Sequence, residues 1–84
     1  MKNIAVLGST GSIGLSALEV IRHFPEKFRA IALSTNSNIE LLERQIKEFR
    51  PEFACVSDTA AGKRLKAFKR TKIFFGQGGL EKIA

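Results

Sequence analysis

Between positions 8 and 14 the chain reads Gly-Ser-Thr-Gly-Ser-Ile-Gly, three glycines and three hydroxyls directly after the apolar run Ile4-Ala5-Val6-Leu7. A strand that ends in such a turn and passes into a helix leaves backbone N–H groups unpaired at the helix start. The helix dipole favours an anion at that same end. This is the chemistry of a phosphate cradle. Gly8 can supply the tight turn, Gly11 has no Cβ to hold a pyrophosphate away from the backbone, and Gly14 lets the helix pack on the strand. Ser9, Thr10 and Ser12 offer hydroxyls to phosphate oxygens. The spacing is G-x-x-G-x-x-G, one residue longer than the usual G-x-G-x-x-G, and alone it fits a plain turn as well.

A second polar stretch, Leu33-Ser34-Thr35-Asn36-Ser37-Asn38, carries no acid anywhere between Glu26 and Glu40. Dinucleotide sites that choose NAD place a carboxylate here to hold the ribose 2′-OH, and that charge would repel a 2′-phosphate. Ser34 through Asn38 are neutral donors instead, so the loop favours NADP, although it has no arginine. The same residues could simply cap the next helix, and the two roles are compatible. Little else is equipped for chemistry. His23, the only histidine, ends a helical pattern beside Phe24-Pro25 and is expected to meet the helix C-terminus or solvent. Cys55 lies in an apolar run and reads as packing. Glu43, Glu48, Glu52 and Asp58 are scattered, with the spacing of neither a metal site nor an acid/base pair.

The elements that must position these residues alternate regularly. Ile4–Leu7 reads as a strand buried on both faces. Ile13, Ala17, Val20, Ile21 and Phe24 form one face of a helix that Pro25 stops. Phe28–Leu33 is a second strand. Ser37 with Glu40 is a capping-box pattern before a helix carrying Ile39, Leu42, Ile46 and Phe49, which Pro51 closes. Phe53–Val56 is a third strand, and Asp58 is a plausible N-cap for a helix running to about Lys69. Ile73–Phe75 is a fourth strand, ended by Gly-Gln-Gly-Gly. Leu80, Ile83 and Ala84 begin a fourth amphipathic segment. Such alternation predicts an α/β, Rossmann-like, doubly wound parallel sheet, incomplete as β-α-β-α-β-α-β plus the start of a fourth helix, with strand order 3-2-1-4.

The bulk properties narrow the classes. Eighty-four residues are one small domain or part of a larger one, and 44% hydrophobic with 26% charged residues is an ordinary globular composition. A single cysteine excludes an internal disulfide framework and fits a reducing cytosol, hence a cytoplasmic location. Apolar runs of a few residues exclude a spanning helix, so no membrane partner is expected. The net charge of +6 gathers at Lys63, Arg64, Lys66, Lys69, Arg70 and Lys72. That cluster reads as a solvated helix face with Leu65 and Phe68 turned inward, not as a nucleic-acid surface, since no aromatic accompanies the charge.

With these residues in view, the chain resembles one family along all of its length. "LGSTGSIG", "RHFPEKFRAIAL", "NSN" before "IELL", "RPEFACVSD" and "GQGGLEKIA" are similar to the N-terminus of 1-deoxy-D-xylulose 5-phosphate reductoisomerases. The resemblance implies an NADPH-dependent enzyme of non-mevalonate isoprenoid biosynthesis that requires a divalent metal, Mg2+ or Mn2+. It rearranges and reduces a phosphorylated sugar, 1-deoxy-D-xylulose 5-phosphate, to 2-C-methyl-D-erythritol 4-phosphate. Carried over by position, its NADPH contacts fall on Thr10, Gly11, Ser12, Ile13, Asn36, Ser37 and Asn38. Some members have Gly-Lys where this chain has Asn36-Ser37, and the family usually keeps Asn38. The resemblance places no catalytic and no metal-binding residue within these positions. Residues 1–84 then correspond to the first half of an NADP-binding Rossmann domain, with the catalytic and C-terminal domains outside this chain and a homodimer expected of the full-length enzyme. Such a piece is expected to be inactive alone. A stand-alone nucleotide-binding module, and part of another Gly-x-Thr-Gly Rossmann oxidoreductase, are the alternatives.

Overall fold

A computed structural model describes residues 1–65, 68–76, 78 and 79. Its elements run β1 (Lys2–Val6), α1 (Ser12–His23), β2 (Phe28–Thr35), α2 (Ile39–Phe49), β3 (Phe53–Val56), α3 (Thr59–Gly62) and β4 (Lys72–Phe75). All four strands are parallel in one sheet, each pairing with its successor. The α/β, Rossmann-like alternation of strand and helix is therefore present. The order differs from the expected 3-2-1-4: it is β1-β2-β3-β4, so β4 lies beside β3 and β1 forms the opposite edge. Alternation dictates parallel pairing but not the side on which each new strand joins. Being an outer strand, β1 is largely exposed instead of buried on both faces, and Leu7 falls in the turn after it.

One face of the sheet carries the main core. Val6, Ala30, Leu33, Ala54 and Val56 from the strands meet Leu18 and Ile21 of α1, Ile39, Leu42 and Ile46 of α2, and Ala61 of α3. A register shift opposite Ile4 and Ala5, whose partners are Ala30 and Ala32, leaves Ile31 of β2 without a counterpart. The alternation along β2 changes phase there. Leu33 consequently joins the main core, while Ala32 packs on the other face with Cys55, near Phe53 and Phe74. Burial raises the Cys55 thiol above its usual range, and its Sγ lies 3.6 Å from the Gly76 carbonyl, in keeping with a packing role.

The helices depart from the expected boundaries in informative ways. In α1 the buried residues are Gly14, Leu18 and Ile21; Ile13, Val20 and Phe24 are exposed. The helix has two apolar stripes, and only the one over β1 and β2 is covered among the described residues. Arg22, near the end of α1, reaches Glu48 of α2 through two bonds, the Nη2 to Oε1 one at 2.9 Å, and lies over the Phe49 ring. This partner holds the Glu48 carboxyl below its usual range. The third helix ends at Gly62, well short of Lys69. A Cβ at Gly62 would come within 2.4 Å of the Phe75 ring, so the chain is pressed there against β4 and turns away. The basic residues Lys63, Arg64, Lys69, Arg70 and Lys72 are thus exposed on the connection and on β4, not on a helix face, while Leu65 and Phe68 pack against the core. Lys66, and the expected fourth segment at Leu80, Ile83 and Ala84, lie outside the described residues.

Candidate functional site

β1 hands the chain to a turn over residues 7–10, and Gly11 is the N-cap of α1. Gly8 takes φ +71°, a left-handed conformation that glycine adopts without a Cβ penalty. Its carbonyl accepts from the Gly11 N–H at 3.0 Å, and the Gly11 carbonyl accepts from Leu15 at 2.8 Å. A Cβ at Gly14 would sit 2.2 Å from the Gly8 carbonyl oxygen and 2.6 Å from the Ser9 Cα. Only glycine lets α1 start this close to the turn. Gly11 is different: a Cβ there would meet nothing nearer than the Gly8 oxygen at 3.5 Å. Its open side is the side a ligand would approach.

The start of α1 is bare. Gly11 provides no side-chain cap and the first turn holds no acid, whereas Asn38 caps α2 and Asp58 caps α3 through side-chain oxygens. The first-turn N–H groups have no partner within a helix by geometry. Gly11, Ser12 and Ile13 are exposed, and Ile13 is 89% accessible, an apolar side chain turned outward beside unpaired donors.

The inner side of the loop is bound tightly. Ser9 is fully buried; its N–H donates to the Ser34 carbonyl at 2.7 Å, and its hydroxyl lies 2.7 Å from Gln45 Oε1 and 3.1 Å from the Ser34 carbonyl. Gln45 Nε2 returns a bond to the Ser9 carbonyl at 2.8 Å, and the Gly8 N–H donates to the Ser34 hydroxyl at 2.8 Å. Thr10 Oγ1 lies 2.7 Å from Thr35 Oγ1, which also accepts from the Asn38 N–H at 3.3 Å. The structure therefore corrects the expectation for three hydroxyls. Ser9, Ser34 and Thr35 are buried and spent on holding the loop, so they are not available to a phosphate. β2 extends through Thr35, which shortens the polar loop to Asn36-Ser37-Asn38.

These three residues are exposed and follow β2 at the same sheet edge as the glycine loop follows β1. The turn after β3 supports them from the other side: the Asp58 N–H donates to the Asn36 carbonyl at 2.9 Å and the Ser57 hydroxyl to Asn36 Oδ1 at 3.2 Å. The capping residue of α2 is Asn38, not Ser37: its Oδ1 accepts from Leu41 at 3.4 Å. The edge outside the carboxyl ends of parallel strands is where open α/β sheets bind ligands. Thr10, Gly11, Ser12 and Ile13 thus share one edge with Asn36, Ser37 and Asn38, joined through Thr10–Thr35 and Ser9–Ser34.

Other candidates lie elsewhere. His23 Nδ1 is 2.9 Å from the Glu19 carbonyl near the far end of α1. Glu48 pairs with Arg22 and Glu52 with Arg29, while Asp58 caps α3. Among the described residues no three His, Cys, Asp or Glu side chains gather to hold a metal, and no helix is long and apolar enough to cross a membrane. Sequence reading missed Gln45. A signal existed: it is the one uncharged polar residue of α2, and it directly precedes Ile46 on the face that buries Ile39 and Leu42.

Three comparisons bear on this edge. The family model described as 1-deoxy-D-xylulose 5-phosphate reductoisomerase matches residues 4–84. A 1-deoxy-D-xylulose 5-phosphate reductoisomerase of Thermodesulfovibrio yellowstonii is 48% identical over 85 residues, covering 100% of this chain and 22% of that protein. The protein of the same name from Trichlorobacter lovleyi is 56% identical over 66 residues, covering 79% of this chain and 17% of that one. A crystal structure of DOX-P reductoisomerase in complex with NADPH, fosmidomycin and magnesium superimposes with a TM-score of 0.84 at 34% identity, over 99% of this chain and 21% of that one. This chain spans about a fifth of the length of the relatives it matches. It belongs to the 1-deoxy-D-xylulose 5-phosphate reductoisomerase family.

Proposed function

We propose that residues 1–84 are the first half of an NADP-binding Rossmann domain and hold the adenosine and pyrophosphate side of NADPH. The observation that carries this reading is the uncapped start of α1, with Gly11, Ser12 and Ile13 open, next to the acid-free Asn36–Asn38 loop on the same edge. In this reading the first-turn N–H groups of α1 donate to pyrophosphate oxygens, strengthened by the helix dipole. Gly11 admits the diphosphate against the backbone, and Thr10 and Ser12 flank it. Ile13 gives the cofactor an apolar surface. Asn36, Ser37 and Asn38 offer neutral donors to the 2′-phosphate, with no carboxylate among them to repel it.

The whole enzyme converts 1-deoxy-D-xylulose 5-phosphate to 2-C-methyl-D-erythritol 4-phosphate, consuming NADPH with a divalent metal, as a cytoplasmic homodimer. This chain spans about a fifth of the length of the relatives it matches, and the rearrangement and hydride transfer are assigned to the remainder of the enzyme. The chain alone is inactive. Incubating it with NADPH, Mg2+ and 1-deoxy-D-xylulose 5-phosphate while following absorbance of the reduced nicotinamide tests this. No substrate-dependent oxidation is expected, and oxidation above the protein-free blank would overturn the assignment.

A further inference from the structure

Gln45 stands 36 residues from Ser9 in the chain and only 4% exposed, yet it makes two bonds to that one residue. Its Oε1 accepts from the Ser9 hydroxyl and its Nε2 donates to the Ser9 carbonyl. Because a carbonyl can only accept, the amide nitrogen must face the Ser9 oxygen, and this fixes the side-chain orientation. Ser9 is the inward residue of the glycine turn. Its outward neighbours are Thr10 to Ile13. Ser34, which binds Ser9 and Gly8 from the other side, lies on β2. Gln45 and Ser34 therefore belong to the β2–α2 unit that also carries Asn36–Asn38. One rigid unit grips the turn and presents the second loop.

We infer that Gln45 is a positioning residue: it sets the glycine loop at a fixed distance and tilt from the Asn36–Asn38 loop, so that one dinucleotide can reach both. The inference rests on the proposed NADPH site for its ligand, but not for its geometry. Gln45 does not touch the cofactor; it acts through Ser9. A buried pair of hydrogen bonds is a costly way to fill this position, since leucine would pack without needing partners. Its two bonds to the turn account for a polar side chain on the apolar face of α2.

Two variants test it in the full 84-residue chain. Gln45→Leu removes both bonds, and NADPH affinity is expected to fall about tenfold, the scale of one to two buried hydrogen bonds. Amide hydrogen exchange at Gly8 to Gly11 is expected to rise by at least the same factor, while β3 amides keep their protection. Gln45→Glu adds a pH-dependent readout, taken only over the range in which its circular dichroism shows it folded like wild type, so that the linkage of folding to the same carboxyl does not enter. Ionised, its carboxylate faces the Ser9 carbonyl with no proton to share; protonated, it restores both a donor and an acceptor. Burial raises the carboxyl's affinity for its proton, so this variant's NADPH affinity relative to wild type recovers as pH falls from 8.5 to 5. If Gln45→Leu does not fold, the Gln45→Glu titration decides alone. Should wild type fail to bind NADPH, the cofactor reading fails, and loop exchange still decides the role of Gln45. Wild-type loop exchange in Gln45→Leu, or a Gln45→Glu to wild-type affinity ratio that stays flat with pH, would overturn the inference.

Discussion

Gly11 and Gly14 stand three residues apart in the same motif, but the structure separates what each is for. Gly14 is packed against backbone, with space for a Cβ denied by the Gly8 oxygen; relief would require moving α1 away from the turn. Gly14→Ala is expected to lower folding stability by about 3 kcal/mol, at the upper end for overpacking against atoms that cannot rotate aside. Gly11 has ordinary φ of −86° and free space around it, so Gly11→Ala should fold with near wild-type stability. In the proposed site its new methyl would stand in the approach of the pyrophosphate, and NADPH binding is expected to weaken about tenfold. Urea denaturation and a fluorescence titration of both variants separate the effects; an exchange of the two phenotypes would contradict the assignment. The motif's pattern already assigned Gly11 to pyrophosphate approach and Gly14 to helix packing, but not how closely Gly14 lies against the Gly8 and Ser9 backbone. Sequence alone also offered Ser9, Ser34 and Thr35 to the ligand. Hydroxyls at a strand end look the same in sequence whether they face a phosphate or a neighbouring loop.

At the scale of elements, legibility followed periodicity. The spacing Ile39, Leu42, Ile46 located α2 and its buried face, since the remaining positions apart from Leu41, Gln45 and Phe49 are charged. In α1 the same reading chose a stripe of Ile13, Ala17, Val20, Ile21 and Phe24; Ile21 is buried, but its buried companions are Leu18 and Gly14, while Ile13, Val20 and Phe24 are exposed. A helix with two apolar stripes has no single face by composition, and only the position of its neighbours decides. Helix ends were legible from proline, but not the manner of ending. α2 stops with Arg50 in the left-handed region at φ 49°, its N–H bonded to the Ile46 carbonyl. A side chain with a Cβ costs about 1 kcal/mol there. Arg50→Gly is therefore expected to raise stability by about 0.5–1 kcal/mol, read as a higher urea midpoint; a lower midpoint would show that the arginine side chain contributes more than its backbone costs.

At the scale of the whole molecule, the described sheet has two outer strands and several exposed apolar side chains. β1 and β4 are the outer strands of the described sheet, and Leu7, Ile13, Val20, Phe24 and Phe75 are exposed large apolar residues. Edge strands with unpaired backbone groups and exposed apolar stripes favour pairing between chains. The isolated chain is expected to self-associate at micromolar concentrations. Val20→Lys with Phe24→Gln should reduce the association seen by light scattering without lowering the melting temperature. A clean monomer with a sharp two-state melt would contradict this. The parallel α/β architecture was legible from the order of elements, whereas the strand order was not, because each crossover can land on either side of the preceding strand.

The central claim is that this edge accepts NADPH, and that the acid-free Asn36–Asn38 loop makes it prefer the 2′-phosphate. Titrating the purified chain with NADPH and with NADH, following the fluorescence of the reduced nicotinamide, measures it most directly. Saturable binding of NADPH, at least about tenfold tighter than NADH, is the result predicted. Equal affinity for the two, or no saturable binding of NADPH by a folded chain, would contradict it.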